Sequence, residues 1–288
     1  MKKFKPKLIF LIVVPLALYL LWADYFKIPE LRPVFPVNFF LPERFWEGVE
    51  YAEGQNQKNA SRIFAAVLPH HLLAGRLISG VFKELNSQSV KNIILIGPNH
   101  YEAGAFNLQS SSADWQSPLG LVSGYRAFSY LPEAQAETMV NEHSVAGLMP
   151  YVGHYFPQAK VFSVIIKHNT GDAELEALAN EIVKKWDKQT ALLASVDFSH
   201  YLPRQIAEGR DEFTRQVLMS MDEKELYGLN NDYADSPGSL ALLLKVCKKL
   251  GAKVFSIKDH SNSADILNNP AIQSTTSYFT GYCEERSL

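Results

Sequence analysis

The sequence predicts an α/β fold: a mixed, mostly parallel sheet covered by helices, preceded by an N-terminal transmembrane or signal helix. Three observations predict it. Four short apolar runs, residues 63–68, 93–96, 161–166 and 191–195, have the length and continuity of strands buried on both faces. Amphipathic stretches of helical length alternate with them. Three of the runs are followed within a few residues by a histidine: His70, His100 and His200. Open α/β sheets hold their ligands past the carboxyl ends of the strands, where these histidines fall.

The chain begins with Lys2, Lys3, Lys5 and Lys7, and residues 8–23 then carry no charge. As a helix this run would be about 24 Å long, against about 30 Å for a hydrocarbon core. With its basic flank it reads as a signal anchor over residues 1–24. Leu21 is a poor third-last residue for cleavage after Ala23, so the anchor is expected to stay attached. Lysines ahead of a span hold the N-terminus in the cytoplasm. The expected location is therefore the cell membrane, single-pass, with the domain extracytoplasmic; secretion after cleavage is the alternative. Residues 25–60 contain Pro29, Pro33, Pro36 and Pro42 among scattered aromatics. They read as a linker packed on the domain, with a short helix over 42–54. Residues 61–288 are the α/β domain.

Within it, strand 63–68 runs into Pro69-His70-His71 and then a helix over 72–85, where Leu72, Leu73, Leu77, Ile78, Val81, Phe82 and Leu85 repeat at helical spacing. Strand 93–96 stops at Gly97-Pro98, and Asn99-His100 follow. These two strands and their helix form a right-handed βαβ unit. Residues 101–132 are a long Gly-, Ser- and aromatic-rich loop with a small strand near 119–123. A helix over 133–140 leads to Glu142-His143-Ser144. Strand 161–166 precedes a helix over 172–186, and strand 191–195 runs into Asp197-Phe198-Ser199-His200. A helix over 205–221 follows. Ser236 is a plausible N-cap and Pro237 a first helical residue, for a helix ending at Gly251. Residues 253–258 and 274–283 are strands, separated by a polar loop over 259–271.

The formal net charge of −2 leaves no basic field, which excludes nucleic acid as a partner. Cys247 and Cys283 are the only cysteines, too few for a thiolate metal cluster or a disulfide framework. A single bridge between them is open, although nothing in the spacing argues for it. Cys247 falls on the apolar face of its helix and is expected in the core. There is no phosphate-binding glycine loop, zinc-protease helix or nucleophile elbow, and Ser195 lacks flanking glycines. Three imidazoles at strand ends point instead to a metal or to acid/base chemistry, against the bland reading of unrelated capping or surface histidines. Two histidines with one carboxylate make the facial arrangement typical of non-haem iron(II). The carboxylate candidates are Glu142, Asp197 and Asp235. Asp235 lies just before a helix and could equally be a capping partner. Asp197, three residues before His200, could orient that ring. His71 packs or faces solvent, and His154, His168 and His260 are surface residues.

Pro69-His70 with Ala74-Gly75, Gly97-Pro98-Asn99-His100, Glu142-His143-Ser144, Ser195-Val196-Asp197-Phe198-Ser199-His200 and the helix after Pro237-Gly238 occur in that order. In these motifs, over roughly residues 62–283, the chain resembles the Memo-like family, whose bacterial members are called AmmeMemoRadiSam system protein B. The resemblance implies a fold like that of class III extradiol dioxygenases. It implies metal ligands at His70 and His100. The family's third ligand is a cysteine just before a late helix; here Asp235 falls within one residue of that place, as a carboxylate does in the related dioxygenases. The implied site is His70, His100 and Asp235, with His200 as acid/base, Asp197 beside it, and Glu142 and His143 lining the pocket. The implied cofactor is a divalent metal, iron(II) first, with zinc or copper as alternatives. The implied activity is oxidative chemistry on a small molecule. A non-catalytic module binding a small-molecule or peptide ligand and a metal-dependent hydrolase are the rival readings. The bacterial name also implies a radical-SAM partner, which an extracytoplasmic domain could not easily meet.

Overall fold

The computed structural model describes residues 32–55 and 62–284. Strand β1 (Val34–Pro36) and helix α1 (Pro42–Glu53) come first. Strand β2 (Ile63–Leu68), a single 3-10 turn (Leu72–Ala74), helix α2 (Gly75–Asn86) and strand β3 (Asn92–Pro98) follow. The long segment after β3 carries three strands, β4 (Leu108–Ser111), β5 (Asp114–Ser117) and β6 (Gly120–Gly124). Three short helices succeed them: α3 (Ala136–Asn141), α4 (His143–Ala146) and α5 (Met149–Tyr155). Then come β7 (Lys160–Ile166), α6 (Asp172–Lys184), β8 (Thr190–Ser195), β9 (His200–Leu202), α7 (Arg204–Ser220) and α8 (Glu223–Tyr227). Helix α9 (Pro237–Lys249), β10 (Phe255–Asn262), α10 (Ser263–Ile266) and β11 (Thr275–Glu284) complete the order.

The main path through the sheet is β1-β5-β6-β7-β3-β8-β2-β11-β10, with β4 on β7 and β9 on β11. The centre, β7-β3-β8-β2, is parallel. Strands β10 and β11 close one side antiparallel. The architecture is thus the expected mixed α/β sheet with a parallel core. Alternation along each central strand feeds two apolar layers. Ile94, Ile96, Phe162, Val164, Leu192 and Ala194 pack with α6, α7 and α9. Ile93, Leu95, Val161, Ile165 and Leu193 pack with α1, α2 and α5. Burial on both faces is why these strands read as unbroken apolar runs rather than as alternating ones. Helices α1 and α2 cross backbone on backbone: a Cβ on Gly48 would lie 2.2 Å from the Gly75 carbonyl oxygen.

Three expectations need revision. Strands β2 and β3 share a sheet, but β8 lies between them, so the βαβ unit spans one intervening strand. The segment after 258, expected as loop, continues β10 to Asn262 and then forms α10. Its polar composition reflects an antiparallel strand at the margin of the sheet, with mostly half-buried side chains, rather than irregular backbone. The expected cell-membrane location with an extracytoplasmic domain is overturned. Among the described residues no helix is long and apolar enough to cross a membrane. A helical crossing needs about 20 consecutive apolar residues. The longest described helix, α7, has 17 residues and exposes much of its surface. The charge-free run at 8–23 lies outside the described residues.

Cys247 on α9 and Cys283 on β11 are both fully buried, and they form a disulfide with Cα atoms 6.1 Å apart. Their spacing in sequence gives no hint of this, because only the packing of α9 over the sheet brings them together. A bridge closing a loop of this length, 36 residues apart, should contribute about 2–4 kcal/mol. Cys247→Ala with Cys283→Ala should lower the urea midpoint and steepen the unfolding slope measured in denaturant, because the denatured chain without the cross-link exposes more surface. Native or unfolded, the protein should show no free thiol to a thiol-reactive probe until a reductant is added.

Candidate metal centre

The site forms where β2, β3 and β8 end side by side. After β2, the turn at His70-His71 is held by Asp197. Its Oδ1 accepts the His70 backbone N–H (3.1 Å) and the His71 backbone N–H (3.4 Å). Ser195, the last residue of β8, donates its hydroxyl to the Ser144 carbonyl at 2.6 Å. Its oxygen is therefore left to accept from His70 Nδ1, 3.1 Å away. That fixes the tautomer: the neutral ring carries its proton on Nδ1, and Nε2 presents a bare lone pair.

After β3, the Asn99 side chain closes a turn by bonding both ways with the Ala103 backbone. Glu142, the N-cap of α4, takes hold of His100 twice. It accepts the His100 backbone N–H at 2.8 Å and lies 2.7 Å from Nδ1. The Ser144 N–H bonds the same carboxylate at 3.1 Å. His100 Nε2 is thereby left free in its turn. Gly97 makes the close approach of α4 feasible, since a Cβ there would sit 2.8 Å from Ser144 Oγ.

Asp235 lies across from the two rings, just ahead of α9. Its backbone N–H donates to the Asp197 carbonyl (3.0 Å), and its Oδ2 accepts the Asp197 N–H (3.3 Å). The same Oδ2 is 3.1 Å from His70 Nε2 and 3.5 Å from His100 Nε2. Its Oδ1 is buried without a hydrogen-bond partner. Two lone pairs aimed at one carboxylate oxygen repel unless a cation lies between them, either protons or a metal. Ligands at about 2.1 Å from an ion lie about 3.0 Å apart at right angles and about 3.4 Å apart at tetrahedral angles. The two separations measured from Asp235 Oδ2 fall near this range, as neighbouring ligands of one divalent ion would. Further donors stand close by. His70, Asp197 and Asp235 hold ligand atoms within 4.8 Å of one another, as do His70, His100 and His143.

The electrostatics of the metal-free site agree. Burial pulls the His100 pKa down, but bonds to Asp235 and Glu142 and their charges more than offset this and raise it to about 10. His70 moves up likewise, the charges of Asp197 and Asp235 overriding its burial. Burial would raise Asp235, yet the neighbouring histidines hold it well below the ordinary carboxylate range. His143 goes the other way. Burial and then the charges of His70 and His100 lower it to about 4, so it is neutral at pH 7, stacked 4.2 Å from His100.

A pH dependence follows, with its sign set by His100. Because its folded value, about 10, exceeds the ordinary histidine value of 6.5, protonation stabilises the metal-free fold fully below about pH 6.5. That contribution is lost as pH rises through about 10. A metal must displace the same proton, so apparent affinity rises over this window. The gap in Tm between zinc-loaded and metal-free protein should therefore widen from pH 6.5 to 9.5 in thermal scans. A constant gap would remove His100 from the ligand set.

The remaining sequence candidates fall as follows. Asp197 makes its contacts with His70 and His71, His70 Nε2 being 3.6 Å from its Oδ2, rather than with the His200 ring. His200 stands on β9, its Nδ1 buried without a partner, and its charge acts on both Asp235 and His71. His71 bonds Tyr278 at 2.6 Å. His260, expected at the surface, pairs with buried Asp211 at 2.9 Å, and Asp211 also accepts the Ser199 hydroxyl. This anchors the turn that carries His200. Sequence reasoning missed Ser195, Ser144 and Asp211 as supports, because their value depends on strand order and helix placement. A polar cleft of about 310 Å³ opens beside His100 and Asp235, lined also by Asn99, Lys167 and His168. An apolar groove of about 650 Å³, with Phe39, Leu72 and Ile272, lies beside His71.

A family model described as Memo-like protein matches residues 46–282. This chain belongs to the Memo-like family. It is similar to the MEMO1 family protein TV1383 of Thermoplasma volcanium, 29% identical over 75% of this chain and 84% of the relative. MEMO1 family protein Ta0237 of Thermoplasma acidophilum is 26% identical over 81% of this chain and 91% of that protein. MEMO1 family protein PAE0818 of Pyrobaculum aerophilum is 25% identical over 73% and 80%. Among solved structures, an uncharacterized protein JW3007 from Escherichia coli K12 aligns with a TM-score of 0.46 and 11% identity, over 76% of this chain and 99% of that one. The donor set of this Memo-like chain points to a divalent metal.

Proposed function

We propose that this Memo-like protein binds a divalent metal on His70, His100 and Asp235 and uses it for oxidative chemistry on a small molecule, with iron(II) as the working ion. One observation carries the reading: both imidazoles have Nδ1 fixed by a partner and turn Nε2 toward the same carboxylate oxygen. Two histidines and one carboxylate on one side of an ion leave other positions open, the arrangement associated with non-haem iron(II). When bound, iron(II) would supply a redox-active Lewis acid at these open positions.

The chain's own residues do the rest. Glu142 and Ser195 fix the two imidazoles, so that binding costs little reorganisation. His143, neutral at pH 7, can accept a hydrogen bond from a substrate hydroxyl. His200, with an unpartnered Nδ1, is the group to accept and return a proton. The polar cleft at His100 and Asp235 gives a small polar molecule a way in. A second reading, a non-catalytic module for a peptide or small ligand, draws on the apolar groove beside His71.

The test is metal content by mass spectrometry after anaerobic loading with iron(II), followed by oxygen uptake with a panel of catechols. Near-stoichiometric iron with catechol-dependent oxygen uptake supports the first reading. A folded protein that takes up no metal sinks it and leaves the binding module. Metal retained without oxygen uptake would remove the oxidative part.

A further inference from the structure

Tyr201 follows His200 directly and is the least economical residue near the site. Its φ is +56°, in the left-handed region where a bulky side chain is uncommon and costs stability. Its strand pairs with β11 so that Leu202 faces Thr275 and His200 faces Thr276, which leaves Tyr201 as the extra residue of a β-bulge. Bulges of this kind re-aim side chains and are common beside active sites. The ring gains nothing from the core, being 80% exposed. Its one aromatic neighbour among the described residues is His200, with centroids 5.6 Å apart. A strained backbone that holds an apolar ring in solvent against an acid/base candidate is poor design for stability alone.

We propose that Tyr201 is a specificity-determining residue: its ring forms the outer wall of the site at His200 and stacks on a planar, unsaturated substrate. The inference rests on the small-molecule reading above and narrows it to planar molecules. Stacking suits an exposed aromatic, because one face is free and a rigid ring loses little entropy on contact. The bulge serves to turn the ring beside the imidazole while the strand continues.

The test uses the full-length protein loaded anaerobically with iron(II) and two metal-chelating probes. 4-Nitrocatechol is planar and reports binding by absorbance; acetohydroxamate chelates without a ring and is followed by calorimetry. Tyr201→Gly removes the ring and relieves the positive φ, so folding is not put at risk. The expected result is a Tm no lower than wild type, unchanged iron content, 4-nitrocatechol bound about 3- to 10-fold more weakly, and unchanged acetohydroxamate affinity. Tyr201→Phe should restore the 4-nitrocatechol affinity. Equal weakening for both probes would mean that the bulge only shapes the site, and equal affinity of Tyr201→Gly and wild type for 4-nitrocatechol would mean that the ring touches nothing; either overturns the proposal. The proposal also falls if wild-type protein binds iron and acetohydroxamate but not 4-nitrocatechol, which leaves the metal reading standing. Wild-type protein without iron would take both down together.

Discussion

Asp235→Ala should leave a folded protein that no longer holds metal. Among the described residues Asp235 is the one carboxylate within 4 Å of Nε2 of both imidazoles, at 3.1 and 3.5 Å, and it brings the negative charge that offsets a divalent ion. Without it, His70 and His100 remain as two neutral donors, a set that binds hard divalent ions weakly. The fold should survive because α9 is capped by Ser236, whose hydroxyl accepts from the Ser239 N–H, and not by Asp235. The measurement is iron and zinc content beside a thermal scan: metal should fall from near-stoichiometric to background, and the protection that metal gives in the wild-type scan should vanish. Asp235→Asn should behave like alanine, since an amide keeps the shape without the charge. Asp235→Cys is more telling. It restores the residue type that the Memo resemblance places near this position, and a thiolate should recover binding while shifting preference from iron toward zinc or copper. If Asp235→Ala kept its metal, the ligands would have to be drawn from His70, His100 and His143, or from Asp197.

How much of this could be read from the sequence depends on how local each feature is. The buried strands were legible because burial on both faces forces an unbroken apolar run, and Gly97-Pro98 marks its end. His70 and His100 were legible because a turn at a strand end is a local event. Asp235 came into view through motif order, with α9 fixing its place. Strand order was not legible: β2 and β3 are joined by α2, and nothing in them announces that β8 will insert between. That insertion is what sets Ser195 against His70 and Asp197 under the His70-His71 turn. Asp197 was therefore placed with its sequence neighbour His200, when its contacts lie across the sheet. The strands β4, β5 and β6 were mostly lost for a different reason. They are only four or five residues long, at the margin of the sheet, and their Ser, Gly and aromatic content resembles loop. The disulfide escaped because two cysteines carry no pattern until helix and strand are packed.

Glu142→Ala should damage both the fold and the metal site, and the size of the effect can be argued from what the carboxylate touches. Glu142 is 1% exposed, and its two oxygens accept from the His100 N–H, His100 Nδ1 and the Ser144 N–H. Burial would raise its pKa, but these partners, His100 foremost, hold it low, so it is ionised at neutral pH. Removing one partner of such a buried pair leaves donors without acceptors and costs about 3–5 kcal/mol. The loss has a pH sign. Since Glu142 lies below its ordinary value, its contribution is present above about pH 4.5 and fades as pH falls further. The wild-type and variant unfolding midpoints should therefore draw together as pH falls progressively below about 4.5. The metal site suffers separately. His100 would lose the bond that keeps its proton on Nδ1 and turns Nε2 toward Asp235, and loss of such an orienting partner weakens metal binding about 10- to 100-fold. Glu142→Gln separates the two effects. The amide can still accept through its oxygen, so most of the stability should return, while the charge that fixes the His100 tautomer stays absent and affinity stays reduced. A Gln variant with wild-type affinity would show that geometry alone, without the carboxylate's charge, orients His100. An Ala variant with wild-type stability would show that the three donors find water instead.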